Sequence, residues 1–244
     1  TCKLSCRCEA AAPMTPTAIT LNQTRLMLDP RGALYWPDRD LLAVADLHFE
    51  KGSHFATMGV PLPPHDTART LDAVAALLAA WRPRTVVCLG DSFHDRGASG
   101  RMAAANRDRL TALTAAHDWL WITGNHDSDA GLAFGGRARA EWVVGGLCFR
   151  HEAETAAAPG EVSGHYHPKA RVRHRGRSAG GRCFLADGKR LILPALGAFT
   201  GGLDATEPVF APFFPKGFTA HILIRDRILS LPRGRLERPL RLRR

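Results

Sequence analysis

The sequence predicts an α/β protein. Three apolar runs, Leu41–Ala45, Thr85–Leu89 and Trp119–Thr123, read as buried central strands. Segments with apolar residues at helical spacing lie between them. Each run leads straight into residues that can bind a cation. The carboxyl edge of such a sheet is where ligands gather.

In chain order, residues 18–36 alternate apolar and polar around a turn signal at Asp29-Pro30-Arg31-Gly32, which predicts a hairpin. The run Leu41–Ala45 ends in Asp46-Leu47-His48. In an extended segment positions i and i+2 face the same way, so Asp46 and His48 can point at one spot. Residues 49–64 carry glycines and prolines and read as a loop, and His54 and His65 beside it receive no role. Leu71, Val74, Leu77, Leu78 and Trp81 predict a helix from near Asp66 to before Pro83. Thr85–Leu89 runs into Gly90-Asp91-Ser92-Phe93-His94-Asp95. A second helix is expected over residues 101–116, with Met102, Leu110 and Leu113 facing inward.

The third central run opens onto Gly124-Asn125-His126-Asp127. Asn supplies a neutral oxygen ligand. His supplies a nitrogen that donates a proton or binds a charged oxygen, and Asp can hold that ring in one tautomer. Strands at Trp142–Val144 and Leu147–Phe149 flank a Gly145-Gly146 turn and lead to Arg150-His151. Glu161-Val162-Ser163 opens onto Gly164-His165-Tyr166-His167, whose His-x-His pair follows the same alternation, two nitrogens on one side of a strand. Residues 169–190 are strongly basic, and Gly176, Gly180 and Gly181 suggest a mobile loop within them. Leu191–Leu193 is a strand. Phe218–Ser230 reads as a closing hairpin turning near Arg225-Asp226, and an Arg-rich tail runs from Arg233 to Arg244.

Composition bounds the partners. The chain of 244 residues is 45% hydrophobic, with 33 basic and 23 acidic residues and a formal charge of +10. Such an excess favours polyanions such as nucleic acid. Compositional bias in the coding DNA is the rival reading, because nearly all the basic residues are Arg. No apolar run approaches a membrane span, so no membrane partner is expected. Cys88, Cys148 and Cys183 sit singly in apolar surroundings, as small core residues of a reducing compartment, and place the protein in the cytoplasm. Cys2, Cys6 and Cys8 have no nearby fourth ligand for a metal knuckle, so residues before Met14 read as an upstream extension.

The strand-end inventory is two carboxylates, one amide and four or five imidazoles. One divalent ion takes about four to six such groups, so the set suffices for two. Two ions roughly 3.5–4 Å apart can clamp a phosphoryl group around a shared carboxylate, and a water between them becomes a hydroxide nucleophile near neutral pH. The mixed nitrogen and oxygen set suits Mn, Fe, Zn or Co rather than Ca or Mg.

The ordered series Asp46-x-His48, Gly90-Asp91, Gly124-Asn125-His126-Asp127, His151 and Gly164-His165-x-His167 resembles the calcineurin-like metallophosphoesterase superfamily. The resemblance implies a two-sheet β-sandwich flanked by α-helices, with metals at the strand ends. It implies that Asp46, His48 and His167 bind one ion, that Asp91 bridges, and that Asn125, His151 and His165 bind the other. His126 would stabilise developing charge or protonate the leaving oxygen, with Asp127 orienting its ring. Where the family usually continues its second block with Asp or Asn, this chain has His94, as in the family's nucleases. His94 would then contact the phosphate or leaving group, or make a supporting hydrogen bond instead. The runs Ala45–Lys51, Gly90–Asp95 and Gly164–Pro168 are similar to the bacterial ligase-associated DNA damage response endonucleases (the PdeM group).

That likeness implies a Mn-dependent endonuclease cutting single-stranded or flapped DNA in repair, with a DNA ligase and a helicase as partners. The expected layout is a disordered extension over residues 1–16, the catalytic domain over 17–232 and a basic tail over 233–244. Two other readings use the same residues: a phosphoesterase acting on nucleotides, a lipid-sugar diphosphate or a phosphoprotein, and a non-catalytic adaptor in a repair complex. Retention of His126 speaks against the adaptor.

Overall fold

A computed structural model describes residues 14–60, 62–63, 65–125 and 130–237. The strands of the first sheet are β1 (Thr17–Leu21), β2 (Thr24–Leu28), β3 (Leu34–Trp36), β4 (Leu41–Val44), β5 (Thr85–Leu89), β6 (Asp118–Ile122) and β7 (Arg137–Arg139), paired in that order. β1 to β4 form an antiparallel meander, and β4 to β7 are parallel. The helices packed against this sheet are α1 (Lys51–Thr57), α2 (Asp66–Trp81), α3 (Ala98–Arg101) and α4 (Ala104–Ala115).

The second sheet comprises β8 (Glu141–Val144), β9 (Leu147–Arg150), β10 (Glu161–Ser163), β11 (Lys169–His174), β12 (Arg177–Ala186), β13 (Arg190–Ile192), β14 (Thr219–Ile224) and β15 (Arg227–Pro232). Its order is β15-β14-β12-β13-β10-β9-β8, with β11 added on β12. β10 runs parallel to both β9 and β13.

The continuous apolar runs follow from burial on both faces. In β4, Leu41 and Ala43 point into the core between the sheets, while Leu42 and Val44 point at the helices. β5 and β6 divide the same way: Val87, Leu89, Leu120 and Ile122 face the second sheet, and Val86, Cys88, Trp119 and Trp121 face Leu71, Val74, Leu77 and Leu110. A strand with core on both sides loses the polar alternation of an exposed one. The expected two-sheet sandwich is therefore present. Its helices cover the first sheet. The outer face of the second sheet is covered among the described residues by a loop whose Phe210, Phe213, Phe214 and Phe218 pack on Cys183, Leu185 and Ile192.

Several boundaries differ from expectation. The segment 18–36 holds three strands, because Asn22 and Gln23, at φ of 44° and 65°, make a second tight turn. Residues 51–57 are helical. The helix expected over 101–116 is broken at Met102-Ala103, both extended. The basic segment 169–190 is not a mobile loop but the hairpin of β11 and β12, leading into β13. Cys88 and Cys183 are buried thiols, whereas Cys148 is half-buried, its Sγ 3.9 Å from Glu141. Thr15 N–H bonds to the Asp226 carbonyl oxygen at the β14–β15 turn. Residues 1–13, with Cys2, Cys6 and Cys8, and the tail beyond Glu237 lie outside the described residues. No helix of the described chain is long and apolar enough to cross a membrane.

His221 on β14 gives the outer sheet a pH dependence. It is buried, its Nδ1 lies 2.8 Å from Ser230 Oγ on β15, and burial pushes its pKa down to about 4. A histidine in the unfolded chain titrates near 6.5. The unfolded state therefore binds the proton first, and stability falls as pH drops from about 6.5 through 4. The loss is on the order of 3 kcal/mol. His221→Gln should flatten the melting temperature against pH in that window relative to the wild type. Parallel curves for the two proteins would refute the assignment.

Candidate metal centre

The carboxyl ends of β4, β5, β6, β9 and β10 meet at one edge of the sandwich. The two sheets are stitched together there by backbone bonds from Leu196 to Ala45 and from Gly197 to Asp46. β4 delivers Asp46 and His48, β5 delivers Asp91 and His94, and β6 delivers Asn125. β9 delivers His151, and β10 delivers His165 and His167. Two donor groups form: Asp46, His48 and His167, and beside them Asp91, His151 and His165.

In the first group, His48 Nε2 and His167 Nε2 face each other at 3.2 Å, and His167 Nε2 is 3.5 Å from Asp46 Oδ1. In the second, His151 Nε2 is 3.5 Å from Asp91 Oδ1 and 3.1 Å from His165 Nδ1. Asn125 joins this group: its backbone N–H donates to Asp91 Oδ1 at 2.9 Å, and its side-chain Nδ2 lies 3.4 Å from His165 Nδ1. A half-turn of that amide presents Oδ1 instead. The groups are joined through Asp46, whose carboxylate accepts the His165 backbone N–H at 3.0 Å.

Five of these seven residues stand in left-handed backbone: Asp46, His48, Asp91, His165 and His167 have φ of 53°, 45°, 42°, 70° and 47°. Asp and His enter that region more readily than most residues, yet each instance still costs roughly 1–3 kcal/mol. The cost is concentrated at the donor atoms. His165 and His167 are thereby turned into different groups. They do not share one side of a strand, as their spacing suggests, because β10 ends at Ser163.

The electrostatics fit cations. Asp46 and Asp91 are buried carboxylates, 0% and 4% exposed, in a site otherwise built of imidazoles and the Asn125 amide. His48 is pushed down to about 3 by burial, with the charges of His167, Lys51 and His94 adding to it against Asp91, so its ring is neutral. Burial and then His151 lower His165. Burial also opposes charge on His151, but its bond to Asp91 and the charges of Asp46 and Asp91 carry it up to about 9. The two carboxylates thus demand positive charge, and a proton on His151 competes for it with a metal ion. His151 Nδ1 lies 2.9 Å from the Leu89 carbonyl oxygen, so Nδ1–H donates there and Nε2 faces the group. Gly90 makes room for this ring, since a Cβ there would lie 2.4 Å from His151 Nδ1.

His94 is outside both groups. Its ring stands edge-on to His48 at 5.6 Å and to His54 at 4.7 Å. His54, given no role by sequence, sits on α1 with Nδ1 2.9 Å from Asp95 Oδ2, and Arg101 clamps that carboxylate. Only the α1 fold, hidden by Gly52 and the flanking prolines, reveals this neighbour. His65 serves as the residue preceding α2. His126 and Asp127 lie outside the described residues.

A model of the calcineurin-like phosphoesterase family matches residues 40–188, well over half of the chain. The chain belongs to that family. Every donor above falls within the matched span. Among solved structures, this phosphoesterase is similar to the nuclease MPE of Pseudomonas putida, at 26% identity and a TM-score of 0.67, covering 89% of this chain and 100% of that one. It is also similar to Yfce, a phosphoesterase from E. coli, at 17% identity and a TM-score of 0.41, covering 78% and 97%. Comparison with curated protein sequences gave no match.

Proposed function

We propose that this phosphoesterase is a two-metal phosphodiesterase that cuts DNA internally, acting on single-stranded or flapped strands in repair. Two adjacent donor groups around buried Asp46 and Asp91 carry the reading. Asp46, His48 and His167 would hold one ion, and His151, His165 and Asn125 the other, with Asp91 between. Ions held there polarise a phosphoryl oxygen and lower the pKa of water. Burial keeps His48 neutral and lowers His165, whereas His151 would give up its proton to an ion, and the left-handed backbone fixes the separation of the donors. Mn is the ion of choice, with Fe, Zn and Co admitted by the same donors. His126 would protonate the leaving oxygen and Asp127 would orient it, while His94 would approach the phosphate past His48.

The choice of DNA rests on charge and on the likeness to a nuclease. The basic hairpin serves it only in part. Arg182 is spent on the Ala195 carbonyl, and buried Arg190 on Glu161, Phe213 and Glu154. Arg171, Arg175 and Arg177 remain exposed. Burial holds the Lys51 ammonium below its usual range against the pull of Asp66, with Lys169 adding to the lowering. A cytoplasmic location, with a DNA ligase and a helicase as partners, belongs to the same proposal.

Circular single-stranded DNA has no ends. The purified protein with Mn2+ should cut it, and exhaustive chelation should stop the cut. Intact circles alongside hydrolysis of bis-p-nitrophenyl phosphate would reject the endonuclease and leave a small-molecule phosphoesterase.

A further inference from the structure

A groove of about 700 Å3 with a largely apolar far wall opens directly from the metal centre. His165 and His167, one from each donor group, form its inner end. Its walls are Tyr166, Leu203, Val209 and Phe213, with the Glu152 carboxylate at the His165 side, where it accepts a hydrogen bond from the Tyr166 hydroxyl at 3.3 Å. Leu203 and Val209 are 41% and 40% exposed, beside a site built for a charged ligand. Large apolar side chains left open at such a place mark a binding surface. The wall is held in place: Leu203 carbonyl oxygen accepts the Lys169 N–H at 2.8 Å, and Tyr166 packs on Phe213 at 5.2 Å.

The groove continues at Gly202 into a second one along β11 and β12, of about 790 Å3, lined by Lys169, Arg171 and Arg173 with Asp204 at its near end. An anion already sits there. The Glu237 carboxylate accepts hydrogen bonds from Arg173 Nε and Ser178 Oγ, both at 2.8 Å. The molecule therefore presents, as one connected line of lining residues, a candidate metal centre, a slot with apolar walls and a basic strip.

We propose that this line is the path of the substrate strand, with the slot beside His165 and His167 taking an unpaired nucleobase next to the scissile phosphate and the β11–β12 strip taking phosphates further along. This rests on the nucleic-acid reading above and adds where the strand lies and what the enzyme grips. A base held in a stacked duplex does not reach the slot, so the slot selects single strands. Stacking on apolar and aromatic walls tolerates any base.

The test compares oligothymidylate with a strand of equal length carrying tetrahydrofuran in place of every nucleoside. Phosphate count and charge are identical. The wild type should cleave the base-bearing strand with a kcat/KM about tenfold higher, the size of one stacked base. Leu203→Asp and, separately, Val209→Asp put a carboxylate on exposed positions and should each bring that ratio toward one. Arg171→Ala should weaken binding of both strands alike and lower the salt slope by about 0.7, one phosphate contact. A wild-type ratio near one, or a ratio that neither slot variant changes, would overturn the slot. Failure of the wild type to cut either strand while hydrolysing bis-p-nitrophenyl phosphate would instead remove the nucleic-acid reading itself.

Discussion

Asp91→Asn should abolish the second ion and lower kcat/KM by about 10^3-fold or more. The carboxylate is buried and stands 3.5 Å from His151 Nε2, and it also accepts the Asn125 N–H at 2.9 Å. Asparagine keeps the volume and one oxygen but removes the charge that both donor groups feel. The stabilisation of transition-state charge by bound ions is worth several kcal/mol, and about 1.4 kcal/mol is a factor of ten. The metal-free fold should suffer modestly. Without an ion the Asp91 carboxylate faces a protonated His151, so neutralising it removes that pairing. The wild type should gain about 2.7 kcal/mol when an ion is present at a hundred times its dissociation constant. The variant should lose much of that gain, and it should melt somewhat lower than the wild type in chelator because the His151 pairing is gone. Metal analysis, melting curves with and without Mn2+, and turnover of a small diester together decide the matter. Two ions and full turnover in the variant would remove Asp91 from the centre.

The gathering of candidate donors was legible because ligand chemistry restricts residue types and because strand ends carry them. Asp46, His48, Asp91, Asn125, His151, His165 and His167 are all brought within one site. What the sequence did not reveal is how they are grouped. Alternation predicts that Asp46 and His48 face together, and that His165 and His167 do so too. The first pair does share a group, but in left-handed backbone, and the second pair is split between groups. Period-two reasoning holds only while the chain is extended, and both strands have ended by then. The α1 helix escaped notice because Gly52, Ser53 and Thr57 are weak helix formers; contact with α2 and α3 holds it instead. The aromatic cover on the second sheet was invisible for a related reason. Phe210, Phe213, Phe214 and Phe218 follow no period, since a loop laid across a sheet has none. The charge of the basic hairpin is only in part a surface: Arg171, Arg175 and Arg177 are exposed. Arg182 and Arg190 fill interior hydrogen-bonding needs that composition does not reveal.

Gly90→Ala tests whether the second group depends on backbone as much as on side chains. Gly90 has a φ of 73°, and an added Cβ would sit 2.4 Å from His151 Nδ1 and 2.5 Å from its Cγ. The left-handed φ alone costs about 1–2 kcal/mol for a residue with a Cβ. The clash adds to it, because the ring is held by the Leu89 carbonyl and has to give up that bond to move aside. Displacement of a catalytic group by about 1 Å can cost 10^2-fold, so kcat/KM should fall by about that factor, and bound metal should drop from two ions toward one. Gly176→Ala separates the two effects. Gly176 has a φ of 77° and nothing near the added Cβ, so it carries the strain without the collision. Both variants should melt several degrees lower, but only Gly90→Ala should lose metal. Adding His151→Ala to Gly90→Ala removes the obstructing ring. The double variant should then be more stable than the two single costs predict, while remaining short of one ion. If Gly90→Ala keeps two ions and behaves like Gly176→Ala, His151 has room that the structure does not give it, and the placement of its ring among the donors falls.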